Sequence, residues 1–204
     1  LHISIGSVYA WSVLTRPIMT DMGFTMSQTT WTFSLAILML GLSAGFLGSF
    51  AEKIGPKKSG LLAMLFWVAG LLGTAYALSI HNLTLLYLFY GIIGGIGLGI
   101  GYITPVSTLV KYFPNRPGFA TGLAIMGFGF ASLIAGPLMQ FLVAQVGLVN
   151  NFIILGVIYL VVMGASSLYL KAPQPKHSTR TTKDRSTMYV HTHGMLANDA
   201  MKTW

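Results

Sequence analysis

The 204-residue sequence contains no cysteine and few charged residues. Without cysteine the chain forms no disulfide and has no thiol nucleophile. Charged residues make up 8% of the chain and apolar residues 54%, whereas charged residues reach roughly 25% in soluble domains. A water-soluble fold has too little interior to bury so much apolar surface, so the composition predicts an all-α integral membrane protein.

Acidic residues are the scarcest charged group: Asp21, Glu52, Asp184 and Asp199 are the only four, and each falls in a predicted loop or linker. No buried acid pair is available as a general base, so no enzyme is predicted. A carboxylate inside a span would have indicated a proton site. Its absence leaves two interpretations: anion exchange without proton binding in this chain, or proton coupling located elsewhere in the protein. His2 is the exception if it lies deep in the membrane.

Basic residues lie mainly on one side of the predicted membrane, and the net charge is +8. Eleven of the twelve Lys and Arg residues fall on the side of the segment 48–58, and only Arg16 falls opposite. Short loops rich in Lys and Arg stay in the cytoplasm, so this distribution predicts topology and no nucleic-acid partner. The segment 48–58 separates two stretches, 31–50 and 59–80, that carry no charged residue. Each is long enough to cross a bilayer, since about 20 helical residues rise about 30 Å.

Apolar stretches predict six membrane-spanning helices at about residues 1–18, 30–50, 60–79, 84–108, 119–143 and 151–170. Ser27 or Thr29 is expected to cap the second. The third and sixth are apolar nearly all round and are expected to face lipid. Residues 171–204 are polar and basic, which predicts a cytoplasmic linker, and two histidines there are too few for a metal site. The sequence begins without Met inside a predicted helix, so we expect a fragment of a longer protein.

Glycine and proline are concentrated in three of the spans. In the second, Gly41, Gly45 and Gly48 form a smooth stripe that another helix can approach closely. In the fourth, alternating glycines are not preceded by a strand, so no phosphate loop and no cofactor are predicted. They indicate tight packing and bending instead, and the fifth span has a Gly-Pro pair that either resembles an antiporter pattern or only kinks the helix. The residues expected to act in hinges and helix packing are Gly95, Gly99, Pro105, Gly136 and Pro137.

The segment 48–58 resembles the loop between the second and third spans of the major facilitator superfamily. That pattern is Gly-x-x-x-Asp-basic-x-Gly-basic-basic, with Glu here in place of Asp. It is filled by Gly48, Glu52, Lys53, Gly55, Lys57 and Lys58. The second glycine permits a reversal with positive φ, and the acid can pair with cations at a neighbouring helix end. The alternative is a basic turn that only sets topology.

The resemblance implies a six-helix bundle of two inverted three-helix repeats, which is half of a twelve-helix transporter. Residues 6–13, 91–102 and 111–127 look like the oxalate:formate antiporter family, a relative of the monocarboxylate transporters. This likeness implies alternating-access transport of small organic anions across a plasma (inner) membrane, together with a missing carboxy-terminal half that supplies basic residues. Tyr9, Trp11 and Tyr102 match aromatic positions of the substrate cavity, although packing or an interfacial belt also explains them.

Two other functions remain open at this point: a facilitator for neutral solutes or drugs, and a non-transporting membrane scaffold. A downstream sequence with six further spans and buried Arg or Lys residues would favour carboxylate transport over both.

Overall fold

The chain is built from helices, and the structure, a computed structural model, describes residues 1–171. The predicted linker beyond residue 171 lies outside the described residues. Helix α1 consists of His2–Ile5, a 3₁₀ turn at Gly6–Ala10, and Trp11–Met22. Helix α2 is Met26–Ile54 and α3 is Pro56–Ser79. Helix α4 consists of Leu83–Leu86, a π-helical stretch Tyr87–Gly94, and Gly95–Tyr112. Helix α5 begins with Pro117–Gly129 and continues into Ala131–Tyr169, whose part after a break at Gly147 is α6.

Local sequence explains where the helices begin. Thr25 caps α2, because its Oγ1 accepts the Gln28 N–H at 3.3 Å while Gln28 Oε1 accepts the Thr25 N–H at 2.9 Å. This reciprocal capping box replaces the cap expected at Ser27 or Thr29, which was wrong. Asn82 caps α4 through the Leu85 N–H at 3.0 Å.

Among the described residues, four helices are long and apolar enough to cross a membrane: α2, α3, α4 and the 53-residue helix Pro117–Tyr169. The last would be about 80 Å long if straight, more than twice the hydrocarbon thickness. It reverses instead at Gly147, because Ala124 lies at His2 while Ser166 lies at the amino group of Leu1. Helices α5 and α6 therefore run in opposite directions.

Helix α1 is not among the four because its longest regular segment, Trp11–Met22, has 12 residues. It nevertheless packs inside the bundle, where Gly6 meets α5. A Cβ atom at Gly6 would lie 2.6 Å from Ala131 Cβ and would overlap the Phe128 carbonyl oxygen. The bundle therefore has six helical rods in residues 1–171.

The helices pair as an inverted repeat. The contact of α1 with α5 at Gly6 has its counterpart in the contact of α4 with α2, where a Cβ atom at Gly95 would lie 2.6 Å from Met39 Cβ. Helices α3 and α6 pack against each other along their length. Helices α4, α5 and α6 thus correspond to α1, α2 and α3: α4 packs on α2 as α1 packs on α5. The fold class predicted from the sequence is confirmed.

The glycines of α4 also make close helix approaches. A Cβ atom at Gly97 would lie 2.6 Å from Trp67 N of α3, and one at Gly99 would lie 2.8 Å from Ala44 N of α2. By contrast, Gly41 and Gly45 have no atom within 4 Å of an added Cβ. The expected close approach at these two glycines is therefore not made by any described helix.

Helix α3 does not face lipid on all sides, contrary to the expectation from its composition. Trp67 and Leu71 are buried against α4 and α6, while Leu65 and Tyr76 on the other face are exposed. Apolar side chains are suited to lipid and to protein contacts alike, so composition alone did not separate the two faces.

Candidate functional site

Four aromatic rings from four different helices meet on one side of the bundle. They are Tyr9 of α1, Phe33 of α2, Tyr102 of α4 and Phe128 of α5, and we call them the aromatic face. Phe128 lies at its centre, with the Tyr9 ring 5.1 Å away and the Tyr102 ring 5.3 Å away, both edge to face. The Phe33 ring lies 6.4 Å from that of Tyr9. Tyr9 is 45% exposed, so the face opens away from the described helices.

The aromatic face brings together two of the three predicted cavity residues, Tyr9 and Tyr102. Their hydroxyl groups are hydrogen-bond donors, and the edges of aromatic rings carry partial positive charge. Such a surface suits a small planar anion. Phe33 and Phe128 were not singled out from the sequence, because a phenylalanine in an apolar helix carries no distinguishing signal.

Trp11, the third predicted cavity residue, lies elsewhere. It is buried, and its Nε1–H donates to the Thr29 carbonyl oxygen at 3.1 Å. Its ring lies 4.3 Å from that of Tyr90, which in turn contacts Trp67 and Phe152. Trp11 therefore belongs to an internal ring cluster contributed by α1, α3, α4 and α6, and its hydrogen bond to Thr29 links the cluster to α2.

His2 lies directly behind the aromatic face. Its ring stacks on that of Tyr102, with centroids 5.7 Å apart and planes inclined by 25°, and its centroid is 5.9 Å from that of Phe128. Nδ1 is 2.7 Å from the Ala124 carbonyl oxygen, and Nε2 is 3.0 Å from the Tyr102 carbonyl oxygen. The ring is buried between α1, α4 and α5. The sequence identified His2 only as an exception to the scarcity of titratable groups.

The α2–α3 turn has the features expected from its pattern. Gly55 has φ 84° and ψ 160°, a conformation that L side chains rarely adopt. Glu52 pairs with Lys111 at the end of α4, at 3.4 Å between Oε1 and Nζ. Both side chains are about half exposed, so the pair contributes at most about 1 kcal/mol. Lys57 and Lys58 are exposed at the start of α3.

A small cavity lies beside this ion pair, with a volume of about 80 Å³. At its wall, Thr104 Oγ1 donates to the Ile100 carbonyl oxygen at 2.7 Å and accepts from Ser59 Oγ at 2.5 Å. The bond between Ser59 and Thr104 joins the first turn of α3 to the second half of α4. Among residues 1–171, no three His, Cys, Asp or Glu side chains are arranged to hold a metal ion.

The predicted hinge positions lie within helices. Pro105 is inside α4 and leaves the Gly101 carbonyl without its usual helical donor. Pro137 is inside α5, where a Cβ atom at Gly136 would make ordinary contact with Val13 at 3.8 Å. The π-helical stretch of α4 is a further irregularity that no sequence feature indicated.

Comparison with known proteins agrees with this architecture. A family model described as Major Facilitator Superfamily matches residues 3–200. The chain belongs to the major facilitator superfamily. Among the similar members of this superfamily is the uncharacterized MFS-type transporter YhjX of Escherichia coli (strain K12), 32% identical over 185 residues. That alignment covers 89% of this chain and 44% of YhjX.

Two human proteins are also similar to this chain. Monocarboxylate transporter 14 is 29% identical over 161 residues, which cover 78% of this chain and 31% of that protein. Monocarboxylate transporter 12 is 32% identical over 171 residues, which cover 78% of this chain and 32% of that protein. The chain thus spans between about a third and just under half of the length of these relatives. They bear the names of transporters and not of enzymes.

Proposed function

We propose that this chain forms half of a transporter that moves small carboxylates across a membrane by alternating access. The observation that carries the proposal is the aromatic face, where Tyr9 and Tyr102 meet at Phe128 on the open side of a six-helix bundle. Transporters built from repeats bind their substrates at the interface between bundles. The names of the human relatives support monocarboxylates as the substrate class.

The other half of the substrate site comes, in this proposal, from a second six-helix bundle. The described residues place no lysine or arginine on the aromatic face, so the partner bundle supplies the basic groups that hold the carboxylate. Exchange of one carboxylate for another, as in the oxalate:formate antiporter family, is the mode that the scarcity of acidic residues favours. Glu52 and Lys111 join α2 to α4 next to the Gly55 reversal, and in this proposal the bundle reorients about this loop.

The location in this proposal is a plasma (inner) membrane with the α2–α3 turn in the cytoplasm. Of the seven Lys and Arg residues among 1–171, six lie at the end of the bundle that carries this turn, and Arg16 lies at the other. Tyr112 at the end of α4 donates to the Lys171 carbonyl oxygen at 3.1 Å, so the described chain ends on the same side. The linker from Lys171 then runs in the cytoplasm.

Uptake measurements test the proposal. The longest reading frame that contains this chain is purified and reconstituted into liposomes, and uptake of radiolabelled L-lactate, formate and oxalate is followed with and without internal carboxylate. We expect saturable uptake of at least one acid, stimulated by the internal anion. Tyr9→Phe and Tyr102→Phe are each expected to raise KM about tenfold, which corresponds to the loss of one hydrogen bond of about 1.5 kcal/mol.

The matched control is Tyr76→Phe. Tyr76 is 57% exposed on the outer face of α3, away from the aromatic face, so the same change should leave KM unaltered. Equal effects of the three tyrosine substitutions would contradict the placement of the site. Uptake of neutral solutes without any carboxylate would contradict the substrate class.

A further inference from the structure

His2 is held by two hydrogen-bond acceptors at once. The carbonyl oxygens of Ala124 and Tyr102 lie 2.7 Å from Nδ1 and 3.0 Å from Nε2, and neither oxygen can donate. A neutral imidazole carries one N–H, whichever tautomer it adopts. One carbonyl would then face a ring lone pair at hydrogen-bond distance, which is unfavourable. The imidazolium carries two N–H groups and satisfies both acceptors.

The groups around the His2 ring partly replace the water that would otherwise stabilise the positive charge of the imidazolium. The Tyr102 ring stacks on the imidazole at 5.7 Å, a distance at which an aromatic face attracts a cation. Carbonyl oxygens at both nitrogens direct negative partial charge at the ring. These contacts come from the second repeat, α4 and α5, whereas His2 belongs to the first. The protonated ring therefore ties the two repeats together.

No carboxylate within the described chain neutralises His2. The acids of residues 1–171 are Asp21, in the last turn of α1, and Glu52, which pairs with Lys111. The titratable groups near the His2 ring are Tyr102 of α4, which stacks on it, Tyr9 of α1, which lies across Phe128, and the amino group of Leu1, next to it in the chain. The other titratable groups of α1 and α4 are Arg16, Asp21, Tyr87, Tyr90, Lys111 and Tyr112. Helix α5 has none between residues 117 and 147, and α6 contributes only uncharged side chains near His2. Neither acid contacts His2, so an anion bound at the aromatic face could serve as its counter-charge.

We propose that His2 is a proton-binding site of this transporter half and that its imidazolium, held by the carbonyl oxygens of Tyr102 and Ala124, attracts the carboxylate to the aromatic face. The link to a carboxylate rests on the proposed function; the proton site itself does not. Because the proton and the anion each favour binding of the other, their affinities are coupled in both directions. Loss of the proton removes one of the two hydrogen bonds that His2 donates to the second repeat. His2 thereby supplies the titratable group that the acids do not. It would allow the transporter to take up a carboxylate together with a proton, in addition to exchanging one carboxylate for another.

The protonation of His2 can be measured without transport. The 204-residue chain is prepared in lipid nanodiscs with ¹⁵N-labelled histidine, and the His2 signals are assigned from their loss in His2→Gln. Between about pH 5 and about pH 9, which brackets the ordinary histidine range, we expect one titration step. At its acid end both ring nitrogens carry protons. A His2 ring that keeps a single protonation state throughout overturns the proposal.

Transport tests the coupling. For one proton per lactate, an inward gradient of one pH unit raises the accumulation of L-lactate up to about tenfold over that without a gradient, and the uptake of protein-free liposomes is subtracted as background. We expect His2→Gln to lower uptake and to abolish this dependence on the gradient. We expect His2→Arg, which keeps a permanent positive charge, to take up lactate as the unsubstituted protein does but without any dependence on the gradient. The control His81→Gln, in the exposed turn before α4, should retain the full gradient dependence. Full dependence in His2→Gln overturns the coupling.

The two proposals fail in different ways. If the unsubstituted protein takes up none of the three acids while the His2 ring titrates, the carboxylate function is wrong and the proton site stands. If uptake occurs and the ring does not titrate, the proton site is wrong and the proposed function stands.

Discussion

The contact between α2 and α4 can be tested by the addition of one methyl group at Gly99. A Cβ atom there would lie 2.8 Å from Ala44 N and would overlap Leu40 O and Ser43 Oγ. The hydroxyl group can rotate away, but the two backbone atoms are fixed in their helix. Ordinary contact begins at 3.4 Å, so relief of the contact with Ala44 N alone requires α2 and α4 to separate by about 0.6 Å, and the overlap with Leu40 O requires more.

The cost of Gly99→Ala follows from this separation. A gap of about 0.5–1 Å forfeits a quarter to a half of the dispersion energy of facing atoms. Ser43 Oγ also moves away from its acceptors on α4, the Gly95 and Ile96 carbonyl oxygens at 3.4 and 3.3 Å. Overpacked sites typically lose about 1–3 kcal/mol. Both this change and Gly→Ala at an open helical position gain the same helix propensity, so we expect Gly99→Ala to have a free energy of unfolding about 2 kcal/mol below that of Gly41→Ala, or roughly 30-fold in the equilibrium constant.

The assay is unfolding of the chain in mixed micelles by titration with SDS, followed by circular dichroism. Gly41→Ala is the matched control, because it is the same change in α2 with no atom within 4 Å of the new Cβ. Alanine is favoured over glycine in a helix by about 1 kcal/mol, so the control should be unchanged or slightly more stable. If Gly99→Ala is as stable as Gly41→Ala, the helices do not approach through the α4 glycines and the reasoning is refuted.

Orientation, the internal ring cluster and the first reversal each provide a further test. Single cysteines at Lys58 and His81 should react with an impermeant reagent from opposite sides of the membrane, and reaction from one side would contradict the orientation. Trp11→Phe removes the 3.1 Å bond to the Thr29 carbonyl and should lower the free energy of unfolding by about 1 kcal/mol; an unchanged SDS midpoint would contradict that contact. Gly55→Val places a β-branched residue at φ 84° and ψ 160°, a strain of about 1–3 kcal/mol, and should impair transport at normal abundance. Normal transport would leave the turn as a marker of topology alone.

Composition and charge predicted which segments cross the membrane and which loops lie in water. A span must be apolar over the hydrocarbon thickness and lysines must stay in water, so both signals are local in sequence. Helix ends were less accurate: α2 extends over Met26–Ile54, beyond the predicted 30–50, because a helix continues past the apolar stretch until a cap or a reversal ends it. At Gly55 the reversal signal was itself local, and the positive φ and the pairing of Glu52 with Lys111 followed as expected.

Which helix faces which could not be predicted from the sequence. Gly41 and Gly45 have helical spacing as regular as that of Gly95 and Gly99, yet only the second pair meets another described helix. Trp11 was likewise predicted to line the cavity because it is an aromatic residue close to Tyr9 in the sequence. The two are only two residues apart, however, and therefore lie on different faces of α1. Small or aromatic residues indicate that a face is special and do not identify what lies opposite. His2 shows the same limit, because its two acceptors are backbone atoms 100 and 122 residues away.

Two reversals at opposite ends of the bundle share one backbone conformation. Gly55, between α2 and α3, has φ 84° and ψ 160°; Gly147, between α5 and α6, has φ 84° and ψ 170°. In the inverted repeat α5 corresponds to α2 and α6 to α3, so the two glycines occupy equivalent positions. This conformation is open essentially to glycine alone, which explains why each helix pair turns at a single residue. The flanking charges differ: Glu52 and three lysines surround the first glycine, whereas no charged residue lies between Arg116 and Lys171. An inverted repeat places its two reversals on opposite sides of the membrane, and only the cytoplasmic side retains lysines. The shared geometry therefore follows from the repeat, and the charge that orients the protein is confined to one of its two copies.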